Sequence, residues 1–135
     1  MRIAFGTDER TPLTDLVVDE LGSRGHEVVV RVVDEPWPDV GRRVGEAVAG
    51  GAADRGLVCC WTGTGVSIAA NKVVGVRAAL CTDAETAAGA RRWNDANVLA
   101  FGLRLTSPEV AKEMIDAFLT TEADPAEAGT IGRVG

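Results

Sequence analysis

The segment Gly56-Leu57-Val58-Cys59-Cys60-Trp61-Thr62-Gly63-Thr64-Gly65-Val66-Ser67-Ile68-Ala69-Ala70-Asn71-Lys72 decides the fold class of this chain. Its first part, Gly56–Cys60, is continuously apolar, as a strand buried on both faces of a parallel sheet must be. Thr62–Gly65 brings glycines to the point where the chain turns, and the spacing predicts a short helix around Ser67–Lys72. A buried strand that breaks at a glycine loop and enters a helix is one half of a βαβ unit.

The same alternation continues in both directions. Upstream, Arg2–Gly6 reads as a strand. Leu13, Leu16, Val17 and Leu21 then fall at helical spacing, with Gly22 and Gly25 closing the segment. Glu27–Val33 is a valine-rich second strand, and Glu35–Asp39, with Pro36 and Pro38, reads as a loop. Val40, Val44, Ala47 and Val48 mark the next helix face. Downstream, Arg77–Cys81 and Val98–Phe101 are strands separated by a helix over Asp83–Trp93. Pro108 precedes a last amphipathic helix carrying Val110, Ala111, Met114, Ile115 and Phe118. The prediction is a three-layer α/β/α, Rossmann-like domain with a five-stranded parallel sheet over residues 1–120 and a polar C-terminal arm over 121–135. Ligands of such sheets bind beyond the carboxyl ends of the strands. That rule nominates Thr7–Arg10, Cys60–Gly65, Thr82-Asp83 and Gly102–Arg104.

Composition sets the boundaries. A chain of 135 residues fits one domain, and 46% hydrophobic with 25% charged residues is globular rather than disordered. A net charge of −6 argues against nucleic acid and anionic membranes as partners. No apolar run approaches the roughly 20 residues that span a bilayer, and Met1–Gly6 enters a strand pattern with no signal-peptide core. Three cysteines make no disulfide framework, so a cytoplasmic, reduced protein is expected. The single histidine, His26, precedes the second strand at the end away from the nominated loops and reads as structural. With one histidine and separated cysteines, no metal-ligand spacing is present.

The glycine loop is the most informative candidate site. Backbone amides can converge there on a ligand oxygen, and the start of a helix adds partial positive charge. Many βα turns carry a Gly-x-Gly for steric reasons alone, so the loop by itself leaves both readings open. Cys60 through Lys72, however, reads C-W-T-G-T-G-V-S-I-A-A-N-K. This resembles the type B ribose-5-phosphate isomerase and galactose-6-phosphate isomerase family, whose usual string is C-G-T-G-x-G-x-S-I-A-A-N-K. The likeness extends through Val76–Cys81, Asn94–Gly102 and Arg104, and to Arg2–Gly6 with Asp8 and Gly25–Val28.

The resemblance implies an aldose–ketose sugar isomerase of carbohydrate metabolism, in the pentose phosphate setting, that needs no cofactor. Cys60 would be the base moving a proton between C1 and C2, and Asp8 would take part in ring opening. Thr62 would stabilise the intermediate through its hydroxyl, with the Gly63 and Gly65 amides forming the oxyanion cradle and Thr64 among the substrate-binding residues. Asn94 would contact sugar hydroxyls, and Arg104 the anionic end of the substrate. Asn71 and Lys72 belong to the motif in packing or subunit contact. The family architecture implies a homodimer or tetramer with sites at the subunit interface. Each residue also has a plainer reading: Cys60 as a core thiol, Asp8 as a turn cap, Asn94 as a helix C-cap, Arg104 as half of a surface ion pair. For Cys59 the core reading is the expected one, because adjacent strand residues point to opposite faces.

Four positions depart from the family pattern. Glu9 stands where Asp-His usually ends the first strand, and Trp93 replaces the histidine of His-Asn-Asp. Trp61 replaces the first glycine of the cysteine string. The tail carries only Arg133, with Glu127 near the place of a first arginine. Two lost charge-assisted bonds to a phosphate, at about 1.5–3 kcal/mol each, would weaken its binding more than a hundredfold. Trp61 and Trp93 offer indole faces suited to sugar rings, or fill pocket volume. The expectation is therefore an isomerase of altered specificity, acting on a sugar or sugar phosphate. The alternatives are a conventional ribose-5-phosphate isomerase and a catalytically silent sugar-binding subunit.

Overall fold

In a computed structural model describing Met1–Gly135, the chain runs β1 (Arg2–Thr7), α1 (Pro12–Ser23), β2 (Glu27–Val33), α2 (Trp37–Ala49), β3 (Arg55–Cys60), α3 (Thr64–Asn71) and β4 (Ala78–Leu80). It continues with α4 (Ala84–Asn94), β5 (Val98–Gly102), α5 (Pro108–Thr120), a 3-10 turn (Pro125–Glu127) and α6 (Ala128–Ile131). All strand pairs are parallel, and the sheet order is β2-β1-β3-β5-β4. The predicted sheet of five parallel strands is present. No helix is long and apolar enough to cross a membrane.

Strand alternation builds two cores. Ile3, Phe5, Leu57, Cys59, Leu99 and Phe101 face α1, α4 and α5 in one buried cluster. Ala4, Val58, Cys60, Val98 and Ala100 face α2 and α3 in the other, against Val40, Val44, Val66 and Ala70. At about 25 cal/mol per Å² of apolar surface, these two layers are the main force holding the helices onto the sheet. The helices start on defined caps. The Thr11, Asp83 and Ser107 side chains accept from the amides of Thr14, Thr86 and Val110.

The segment Glu35–Asp39, read as a loop, is half helix. α2 begins at Trp37, and Pro38 sits in its first turn, where a missing N–H leaves no hydrogen bond unmade. Two prolines in sequence hid a helix start.

From β1 the chain steps out to the edge strand β2 on one side and returns through α2 to the central β3 on the other. Direction reverses between β1 and β3, and the crevice at their carboxyl ends is the topological switch point. Thr7 pairs with Cys59 in that ladder, so Asp8 and Cys60 are the next residues on adjacent strands.

Candidate active site

Asp8 emerges from β1 under tight local control. The Thr7 hydroxyl, fully buried, donates to the Glu9 carbonyl (2.7 Å) and accepts from the Glu9 amide (3.2 Å). The Asp8 amide donates to the Cys59 carbonyl (3.4 Å), and the Arg10 amide to Asp34 Oδ1 (2.8 Å). In β1, Ala4 and Gly6 face α2, where a Cβ on Gly6 would meet Val40 and Val44. Asp8 directly follows the end of β1, as Cys60 ends the neighbouring β3, so the two residues sit on adjacent strand ends. Asp8 Oδ1 is buried and has no hydrogen-bond partner. Burial lifts the carboxyl above its ordinary 3.8, and the nearby Glu9 charge adds to this against opposing amide hydrogen bonds. A carboxyl that holds its proton longer than usual is equipped for proton transfer.

The two cysteines separate as alternation requires. Cys59 is wholly buried in the α1/α4/α5 core, its thiol donating weakly to the Gly6 carbonyl (3.8 Å). Burial pushes that thiol up to about 12, so it stays protonated and inert. Cys60 lies on the other face, 5% exposed, at the point where β3 gives way to the loop.

The loop is held by backbone on one side and left open on the other. β5 continues alongside it, with the Leu103 amide donating to the Cys60 carbonyl and the Arg104 amide to that of Trp61, both at 2.9 Å. Gly63 caps α3 with φ +80, and a Cβ there would sit 2.6 Å from the Phe101 carbonyl carbon. Gly102 is its counterpart: a Cβ on it would lie 2.7 Å from the Thr62 carbonyl oxygen. Glycine at both positions lets the two backbones touch. The first-turn amides of α3 have no intrahelical acceptor and no side-chain cap, which leaves them free for an anionic oxygen. Thr62 Oγ1 lies 2.8 Å from Thr64 Oγ1. The Trp37 indole rests on Gly65, within 2.9 Å of where a Cβ would stand.

Glu9 is exposed beside Asp8, and Arg104 is exposed beside Trp61 with no ion-pair partner in the chain. The ion-pair reading of Arg104 is therefore set aside. A cleft of about 160 Å³ runs between Trp61, Thr62, Leu80, Gly102 and Arg104. Trp61 is 58% exposed on its rim. No group of three or more His, Cys, Asp or Glu side chains converges anywhere to hold a metal ion.

Trp93 and Asn94 line a separate hollow along α4 that shares Leu80 and Cys81 with this cleft, and neither they nor Arg133 line the cleft itself. α4 starts near the carboxyl edge of the sheet and carries Asn94 about 15 Å toward the amino edge. Asn94 is the last helical residue rather than the cap. The cap is Asp95, in the left-handed region at φ 46. Asp95 is pinned by Arg91 (2.8 Å) and Arg77 (3.0 Å). Arg91 is itself 2% exposed, donating also to the Ala96 and Thr121 carbonyls. Trp93 lies over Gly89 and is 55% exposed. The C-terminal arm returns to this corner. The Asp124 amide donates to the Arg92 carbonyl (2.8 Å), and Val134 and Gly135 border a hollow with Arg77 and Asp95. One chain thus carries two sets: Asp8, Glu9, Cys60–Gly65 and Arg104 at one edge, and Trp93, Asn94 and the Arg133 arm at the other.

The sequence nominated Thr7 only as the start of the Thr7–Arg10 strand end, and it gave no structural role to Trp37, Arg91 or Asp95. Arg91 in an Arg-Arg-Trp run looks solvated, and no local signal announces its burial. Asn71 proved structural, its amide pairing with both the N–H and C=O of Ala78 at the edge strand (2.8 and 2.9 Å). His26 accepts from the N-terminal amine (2.9 Å) at the amino edge, away from the cleft.

Comparison with known proteins bears on this geometry. Residues 3–134 match the family model described as Ribose/Galactose Isomerase. Ribose-5-phosphate isomerase B of Escherichia coli is 42% identical over 123 residues, covering 87% of this chain and 83% of that protein. D-erythrulose-4-phosphate isomerase of Pectobacterium atrosepticum is 39% identical over 128 residues, covering 90% and 84%. The structure of Clostridium thermocellum ribose-5-phosphate isomerase B superposes with a TM-score of 0.93 at 40% identity, covering 100% of this chain and 95% of that one.

Proposed function

Since the chain belongs to the ribose/galactose isomerase family and is on that footing an aldose–ketose isomerase, we propose that it works through an enediolate on a sugar other than ribose 5-phosphate. The observation that carries the mechanism is the half-buried Asp8 carboxyl, one oxygen of which is buried and unpartnered, on the strand end next to that of Cys60 at the switch point. Asp8 exchanges the ring-hydroxyl proton during opening. The Cys60 thiolate removes the proton on C2 of the open aldose, and the C–H electrons form the C1–C2 double bond. The C1 carbonyl oxygen takes the negative charge, stabilised by the free amides of α3 and the Thr62 hydroxyl. Returning the proton to C1, with the O2 proton passing to O1, gives the ketose. C1 is reduced and C2 oxidised within one molecule, so no external redox partner enters.

Altered specificity follows from charge. Glu9 stands in the loop beside Asp8, and a carboxylate facing a phosphate dianion is repulsive. Trp61 on the cleft rim and Trp93 offer apolar faces, and Arg104 is the single unpaired cation beside the cleft. The relatives' names already span ribose 5-phosphate and erythrulose 4-phosphate, so substrate choice varies on this scaffold. The test is kcat/KM for ribose 5-phosphate beside free pentoses and hexoses, repeated with Glu9→His. A free sugar is expected to be turned over more efficiently, and histidine at position 9 to improve phosphorylated substrates. Ribose 5-phosphate leading by orders of magnitude, with no effect of Glu9→His, overturns the specificity reading.

The active form is a homodimer, or a dimer of dimers, in which the edge carrying Trp93, Asn94 and the Arg133 arm completes the site around the Cys60–Gly65 loop of a second copy. Support comes from the placement of the two sets at different edges, with Glu9, Trp61, Arg104, Trp93 and Asn94 exposed, and from the exposed Leu80 and Leu105 around the cleft.

A further inference from the structure

We propose that Thr64 is a positioning residue for Thr62, acting through the 2.8 Å contact between their hydroxyls. The inference rests on the reading of Thr62 as a donor to the enediolate oxygen.

Thr62 lies on an exposed turn, and its hydroxyl makes one hydrogen bond in the chain, to Thr64 Oγ1. A threonine hydroxyl has one proton and rotates to suit its surroundings. When Thr62 gives that proton to Thr64, none is left for the substrate. When Thr64 donates instead, the Thr62 oxygen is satisfied as an acceptor and its own proton is free to point into the cleft. Thr64 opens α3, where its backbone is set by the helix, while Thr62 precedes the left-handed Gly63. The fixed hydroxyl therefore steers the free one. Accepting a hydrogen bond also strengthens the acceptor as a donor. As charge builds on the substrate oxygen, both effects favour the ordering Thr64 to Thr62 to substrate.

The magnitude is modest. Restricting a rotor with three staggered positions to one is about a threefold effect, and polarisation adds to it. Thr64→Val keeps the branched shape at an exposed position and removes only the hydroxyl. It is expected to lower kcat about three- to tenfold with KM within about twofold, and Thr64→Ser to restore most of the rate.

The decisive experiment is a double-mutant cycle on full-length protein, with melting curves confirming that each variant folds. In a Thr62→Val background, Thr64→Val is expected to have no further effect on kcat, because the group it positions is gone. The same loss of rate in both backgrounds overturns the proposal, since Thr64 then acts independently of Thr62. Unchanged kcat for Thr64→Val in the wild-type background overturns it as well. Full activity of Thr62→Val alone overturns the reading of Thr62 itself, and the two failures are thereby told apart.

Discussion

Replacing Gly102 by alanine drives a methyl group into the backbone that carries Thr62. The added Cβ lies 2.7 Å from the Thr62 carbonyl oxygen, 2.8 Å from its carbon and 3.1 Å from its Cα. Ordinary contact begins at 3.4 Å, so the loop must retreat by about 0.7 Å, the difference between 3.4 and 2.7 Å. No flexible side-chain end can yield, because all three atoms are backbone. The retreat is opposed by the Leu103 and Arg104 amides, which hold the Cys60 and Trp61 carbonyls at 2.9 Å. Overpacking of this kind costs about 1–3 kcal/mol of stability. Displacing a catalytic group by about 1 Å costs about a hundredfold in rate, so the expected loss in kcat is on the order of 10- to 100-fold. Gly129→Ala is the control, since a Cβ there meets nothing within 4 Å. Urea unfolding and steady-state isomerisation, measured on both variants, read the two effects separately. A Gly102→Ala protein with the wild-type kcat and unfolding midpoint would refute the claim that the loop leans on β5.

Three further outcomes are expected. Cys60→Ala abolishes turnover while Cys59→Ala keeps most of it, the two thiols facing different cores; equal losses in variants of equal stability contradict this. Asp8→Asn raises the melting midpoint near pH 7. A carboxyl held above 3.8 contributes stability that is complete below that value and lost as pH rises through its folded-state pKa, leaving a carboxylate with one buried, unpartnered oxygen at neutral pH. The gain should shrink as the pH is lowered toward 3.8, and a gain independent of pH sinks the assignment. Inactive Cys60→Ala and Asn94→Ala proteins, co-refolded, should recover about a quarter of wild-type activity, because half the dimers are mixed and each holds one intact site. Sedimentation of a fully active monomer, or no recovery on mixing, rules out the shared site.

Much of the fold was legible because this sheet is buried on both faces. Continuous apolar runs such as Gly56–Cys60 cannot be solvated strands, and the glycine loop after Cys60 marks the turn into α3. The start of α2 was misread because Pro36 and Pro38 signal a loop by composition, whereas the structure uses them as a cap and a first-turn residue. Alternation along β3 correctly separated Cys59 from Cys60. The division of the site residues was not legible in any local pattern. It depends on the order β2-β1-β3-β5-β4 and on α4 running from one edge of the sheet to the other. Asp95 and Arg91 were missed for a related reason. Their pairing links a helix end, a β-strand approach and the arm, which are joined only in the folded molecule.

Proton transfer through an enediolate with Cys60 as the base is put to the test by isomerisation in D2O. The preferred sugar, converted by the wild-type protein, is expected to show solvent deuterium at C1 of the ketose and, after reversal, at C2 of the aldose, with no incorporation by Cys60→Ala. Turnover in which the migrating hydrogen stays wholly unexchanged, or exchange that persists undiminished in Cys60→Ala, contradicts it.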